Sequence, residues 1–149
     1  MKAGPERELL ARYLGRAQAG ARPVGLTSVT EIEVEESRSR QAETRKEAEA
    51  AAILAKVPQG ARVVLLHERG KASSSADLAG AVAGARDSGG PAFCFVVGGP
   101  DGLAPTLLAR HETLAFGAVT FPHQLVRVLV AEQIYRITTI LAGHPYHRA

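Results

Sequence analysis

The apolar positions along the chain change period several times, and each change marks an element. Leu9, Leu10, Tyr13, Leu14 and Ala17 recur at helical spacing and predict an amphipathic helix over 5–19, with Pro5 suited to its first turn. The Gly-Ala-Arg-Pro stretch at 20–23 interrupts it. Residues 24–34 read as a strand, with the clearest alternation at Glu31-Ile32-Glu33-Val34. A highly charged helix follows over 39–56 and is stopped by Pro58 and Gly60. Two short apolar runs, 62–66 and 92–97, predict strands buried on both faces. Between them lies a helix of small residues over 74–86, with Ser74 or Ser75 as its cap. A short helix over 105–111 and a mixed segment over 114–121, strand-like toward its end, lead into the longest helix, 123–141. Strands thus alternate with helices, which predicts an α/β fold: a parallel sheet covered by helices in a single domain, 1–149. The last helix carries Leu125, Val126, Val128, Leu129, Val130, Ile134, Ile137, Ile140 and Leu141, more apolar surface than one sheet face covers. That width predicts burial on a second side, at a homodimer interface.

Composition narrows the class. With 46% hydrophobic and 22% charged residues in 149, the chain has the balance of one globular domain and not of a disordered segment. No apolar run approaches the roughly 20 residues that span a bilayer, and the polar start with Pro5 does not read as a signal peptide. Cys94, within Phe93-Cys94-Phe95-Val96-Val97, is the one cysteine, so an intrachain disulfide and a cysteine-based zinc site are excluded. A buried, inert thiol and a cytoplasmic location are expected. The net charge of +3 is mild, but arginine dominates, with Lys2, Lys46, Lys56 and Lys71 the only lysines. Arginine suits bidentate phosphate contacts, and it is equally the mark of an arginine-biased genome, so the charge permits a nucleic-acid partner without establishing one.

Three segments leave predicted strands, where parallel sheets bind ligands. The first is Leu65-Leu66-His67-Glu68-Arg69-Gly70-Lys71, which reads more simply as a strand-to-helix loop. The second is Val96-Val97-Gly98-Gly99-Pro100-Asp101-Gly102-Leu103. Its first two glycines allow positive φ and close backbone approach, and Pro100 stiffens the turn. Its spacing is neither the dinucleotide fingerprint nor a P-loop, and a plain tight turn fits equally well. The third, Gly117-Ala118-Val119-Thr120-Phe121-Pro122-His123, offers backbone groups for an adenine edge and Phe121 for ring packing; simple core packing is the alternative. The tail His144-Pro145-Tyr146-His147-Arg148 is dense in groups that donate hydrogen bonds, take up protons or contact phosphate, although free tails are usually frayed. His144 and His147 lack clustered carboxylates, so no metal site is expected.

These motifs, 96–103, then Val119 through Arg136, then His144-Pro145-Tyr146-His147-Arg148, resemble the SPOUT-class ribosomal large-subunit RNA methyltransferases that act on N3 of a pseudouridine. Weaker similarity runs through 2–66. The resemblance implies an α/β domain whose C-terminal part forms a deep trefoil knot, and S-adenosylmethionine as cofactor. It assigns cofactor contacts to Leu66, Gly99, Gly117, Ala118, Val119, Thr120, Phe121 and Pro122. It implies a homodimer through the 123–141 helix, no membrane association, and ribosomal RNA in the assembled ribosome as substrate. Relatives begin with a buried strand before the Lys2-Ala3-Gly4-Pro5-Glu6 equivalent, so the fold is expected to lack that first strand, and His67 stands where relatives often carry an acid.

Methylation at N3 needs a base or cation beside a weakly acidic N–H. Tyr146 and Arg148 are expected to orient the base and its phosphate, and His147, the imidazole of the three, to accept the proton. In such a dimer the tail of one subunit could serve the cofactor of the other. Two rivals stand beside this reading: a non-enzymatic ribosome- or RNA-binding module that kept the fold, and another small-ligand enzyme on a doubly wound sheet, which the absent phosphate loops disfavour.

Overall fold

A computed structural model describes residues 1–148. Its elements, in chain order, are α1 (Pro5–Ala21), a 3-10 turn (Arg22–Val24), α2 (Ala42–Lys56), β1 (Arg62–Ala72), α3 (Ser75–Asp87), β2 (Phe93–Val96), α4 (Pro105–Leu108), β3 (Glu112–Ala115) and α5 (His123–Ala142). The chain divides into two compact units: 1–31 with 73–89 and 124–149, and 32–72 with 90–123.

The second unit holds the sheet. Its order is β2-β1-β3, and both pairings are parallel, as the alternation of strands and helices predicts. Val63, Val64, Leu65 and Leu66 are all buried, odd and even positions alike, which is the pattern of a central parallel strand. Val63, Leu65 and Val96 join Ala50 of α2 and Leu103, Ala104 and Leu107 around α4 in one apolar core. At the rim, Arg62 forks Glu112 at 2.8 Å through both Nε and Nη2 and lies over the Phe93 ring, tying the first residues of the three strands together. β1 runs longer than its apolar stretch predicts because its register against β3 shifts between Leu66 and Lys71. That irregularity needs Gly70: a Cβ there would stand 2.8 Å from the Leu114 backbone.

The first unit is helical. Pro5 opens α1, and Glu6 and Glu8 sit in its first turn, where the helix dipole favours acids. Leu10 packs with Val128 and Ala131 of α5, with Met1, Tyr13 and Leu14 at the margin. Ser74 caps α3 by accepting from the Asp77 N–H at 3.0 Å, one of the two caps expected. Thr138 and Thr139, buried on α5, return their hydroxyls to the carbonyls of Tyr135 and Arg136.

Two expected elements differ. Residues 26–39 form no strand, and Ile32 is exposed: the alternation at 31–34 has the period of a strand, but the sheet offers those residues no partner. The strand read toward the end of 114–121 lies at its beginning instead, as β3, because Leu114 is its buried residue and 117–122 are all exposed.

Near the end of α1 a Cβ on Gly20 would meet Thr138 Oγ1 at 2.9 Å and Thr138 Cβ at 3.3 Å. Gly20→Ala is therefore expected to lower stability by about 1–3 kcal/mol through overpacking, outweighing the roughly 0.5–1 kcal/mol that alanine usually gains in a helix. Urea unfolding measures the sign; a variant more stable than the parent would refute this packing.

Candidate active site

Parallel strands place their carboxyl ends at one edge of the sheet. With order β2-β1-β3, the chain crosses first to one side of β1 and later to the other, which leaves a crevice beyond β1 between two loops. Leu65 is level with Val96, and Leu66 with Leu114, so Leu66, the loop after β2 and the loop after β3 share that edge. The structure thus gathers Leu66, Gly99 and 117–122, the positions to which the resemblance assigns a cofactor, at one end of the sheet.

The loop after β2 is tight. A Cβ on Gly98 would approach Leu103 Cγ to 3.0 Å and the Gly102 carbonyl carbon to 3.1 Å. The Gly102 N–H donates to the Gly99 carbonyl at 3.0 Å, and the two residues form an isolated antiparallel bridge. Neither Gly98 nor Gly99 uses the positive φ expected of them; that conformation falls on Gly102 (φ 83°), while Gly98 serves close approach. At the loop's tip Asp101 receives a fork from Arg45, at 2.7 Å from Nε and 3.1 Å from Nη2. The hydrogen bond from Arg45 holds the Asp101 carboxyl below its ordinary range and raises the guanidinium in turn. No spacing in the sequence announces this pair.

The loop after β3 is open. Gly117 takes φ 120°, and 117–122 are exposed, with Val119 at 63% and Phe121 at 37% relative exposure. Simple core packing is thereby excluded for this segment. The Thr120 hydroxyl donates to Glu68 at 2.5 Å, tethering the loop to the irregular part of β1. In β2, Cys94 is half-buried rather than buried as expected, and burial pushes its thiol up, away from thiolate character.

The tail is held, not frayed. Gly143 (φ 70°) ends α5 in a Schellman motif, with His144 N–H donating to the Thr139 carbonyl and Gly143 N–H to that of Ile140. The chain then doubles back along α5. The Tyr146 hydroxyl donates to Glu132 at 3.0 Å, and its ring centroid lies 4.6 Å from that of Tyr135 and 4.8 Å from the Arg136 guanidinium carbon. Arg136 grips the same Glu132 oxygen at 2.6 and 3.0 Å and donates from Nη1 to His147 Nδ1 at 3.1 Å. The i, i+4 pair Glu132–Arg136, which spacing alone reads as a surface bridge, is thus the anchor of Tyr146 and His147. Arg148 is exposed. Among the described residues no group of three His, Cys, Asp or Glu side chains could hold a metal, and no helix is long and apolar enough to cross a membrane.

A family model described as a predicted SPOUT methyltransferase matches residues 1–147. The chain belongs to the SPOUT methyltransferase family. Curated relatives named ribosomal RNA large subunit methyltransferase H are similar along its whole length. Those from Xanthobacter autotrophicus and Bradyrhizobium sp. (strain BTAi1) are 51% and 53% identical over 100% of this chain and 94% of their own length. One from Methylobacterium sp. (strain 4-46) is 52% identical over 99% of this chain and 92% of its own. The SPOUT match spans both compact units, so the sheet-edge loops and the tail belong to one family-wide sequence.

Desolvation first, then the bond to Glu132, pushes the Tyr146 hydroxyl up to about 12 from an ordinary 10. The neutral phenol is the form that the folded state favours. Its contribution to stability is fully present below pH about 10 and is lost as pH rises toward 12. Absorbance titration of the tyrosines is expected to contain a late component that Tyr146→Phe removes; loss of a component in the ordinary range near 10 instead would contradict the burial and the Glu132 contact.

Proposed function

We propose that the chain transfers a methyl group from S-adenosylmethionine to N3 of a pseudouridine in large-subunit ribosomal RNA on the assembled ribosome. It would do so in the cytoplasm as a homodimer, with the C-terminal part of the fold knotted. The observation that carries the reading is the convergence of Leu66, Gly99 and the exposed 117–122 loop at one sheet edge in a chain of the SPOUT family. Its relatives, named ribosomal RNA large subunit methyltransferase H, suggest the substrate class. The dimer is supported by apolar surface left uncovered on the helices, Leu125 of α5 and Leu9 of α1 being exposed.

The residues present fit the cofactor. Exposed peptide groups over 117–122 suit an adenine edge, Val119 and Phe121 suit its ring, and neither loop carries a lysine or arginine to cradle a phosphate. Leu66, Gly99 and Gly117, Ala118, Val119, Thr120, Phe121 and Pro122 would hold it, and it would supply an electrophilic methyl group.

The substrate side falls to Tyr146, His147 and Arg148. Tyr146, held protonated, donates a hydrogen bond and does not act as a base. Arg148, exposed, pairs with RNA phosphate. His147 is the proton acceptor. Because Nδ1 accepts from Arg136, the neutral ring carries its proton on Nε2 and its lone pair on Nδ1. Taking the N3 proton at Nδ1 therefore requires Arg136 to yield that contact, and Arg136 keeps Glu132 when it does.

Incubation with ribosomes and methyl-labelled S-adenosylmethionine is expected to label large-subunit RNA at a pseudouridine. His147→Ala should slow the reaction by about 10²–10⁴ while leaving cofactor affinity unchanged. Absence of label with active ribosomes would refute the reading, and a full rate after deletion of 146–149 would refute the tail's role.

A further inference from the structure

The Arg45–Asp101 pair lies outside every role assigned so far. Arg45 spends one edge of its guanidinium on Asp101 and the other on backbone: Nη1 donates to the carbonyls of Ser39 at 2.9 Å and Arg40 at 3.1 Å, just before α2. All three nitrogens are therefore engaged, and 56 residues of sequence are bridged in one contact. Both side chains are 27% exposed, so the pair is neither a solvated surface bridge nor part of the core.

Its position gives it a task. The loop after β2 passes from Val97 into Gly98 and Gly99, which have no side chains to hold them. The apolar core takes over again only at Leu103 and Ala104, 8% and 1% exposed. Between these points Asp101 is the side chain that fixes the loop, and Arg45 fixes it to the start of α2. The same helix reaches the next segment through Glu47, whose carboxylate accepts from the Thr106 hydroxyl at 3.1 Å. One helix thus sets where the Gly98–Gly99 backbone stands relative to the exit of β1. A bidentate, charge-assisted fork fixes both distance and orientation, which a lysine point charge would not.

We propose that Arg45 and Asp101 are positioning residues for the cofactor loop: the fork holds the 98–103 turn in the shape that accepts the ligand, so breaking it loosens ligand binding before it loosens the fold. The inference rests on the S-adenosylmethionine reading. The depressed Asp101 carboxyl agrees with it, since the carboxylate form persists into acid conditions.

Calorimetry with S-adenosylmethionine and S-adenosylhomocysteine tests the proposal on the full chain, alongside hydrogen exchange at the Gly102 amide. Arg45→Met and Asp101→Asn are each expected to weaken binding about 10-fold, and the double variant no more than either alone, because the two residues act as one unit. Arg45→Lys keeps the charge but not the fork and is expected to lose several-fold; Asp101→Glu, able to rebuild a fork, is expected to stay within about 3-fold of the parent. Exchange at Gly102 should quicken while that of the β1 amides stays slow, a local signature that general destabilisation would not produce. Parent-like affinity in Arg45→Lys and Asp101→Asn, or additive losses in the double variant, would overturn the positioning role with the cofactor reading intact. A parent chain that binds neither ligand would overturn both.

Discussion

The site depends on the register of β1. It is the central strand, parallel to both neighbours, and its residues Val63 to Leu66 are buried at odd and even positions. Because β2 and β3 must follow its direction, the loops that leave them emerge at the same sheet edge. Nothing in either loop specifies that meeting. It follows from hydrogen-bond geometry on the two sides of one strand, with Leu65 level with Val96 and Leu66 level with Leu114.

Around that edge the two loops are built on opposite principles. The one after β2 is compact: a glycine that admits its neighbour's side chain, a second glycine at positive φ, and an arginine fork on the carboxylate between them. The one after β3 leaves Val119 and Phe121 exposed and is tethered from Thr120 to Glu68. A rigid polar wall and an exposed apolar one suit a ligand that has both an apolar ring and charged groups.

The sequence revealed those parts of the fold that local chemistry determines. Period and punctuation located the five helices and the strands at 62–66 and 92–97, because Pro, Gly and the apolar stripes act over a few residues. The strand expected over 24–34 failed for a non-local reason: Glu31 to Val34 alternate well, yet a strand exists only where a partner accepts its hydrogen bonds. The gathering of Leu66, Gly99 and 117–122 came from the resemblance and from parallel topology, not from spacing. Arg45 and Asp101 were invisible because a pair so far apart in sequence leaves no periodic trace. Glu132 was visible, but only as half of an ordinary helical pair; that it also receives Tyr146 depends on the turn at Gly143, which aims the tail backward.

That backward turn has a thermodynamic consequence. Ordering a free segment costs about 1–2 kcal/mol per residue in backbone entropy alone, and a loose tail that closed over its substrate would subtract that cost from the affinity for RNA. Here Tyr146 and His147 are already docked on one carboxylate and its arginine, so the ordering cost falls on folding. If the tail meets RNA as proposed, its ordering is done before the encounter, and the Arg136–His147 contact is what remains to open.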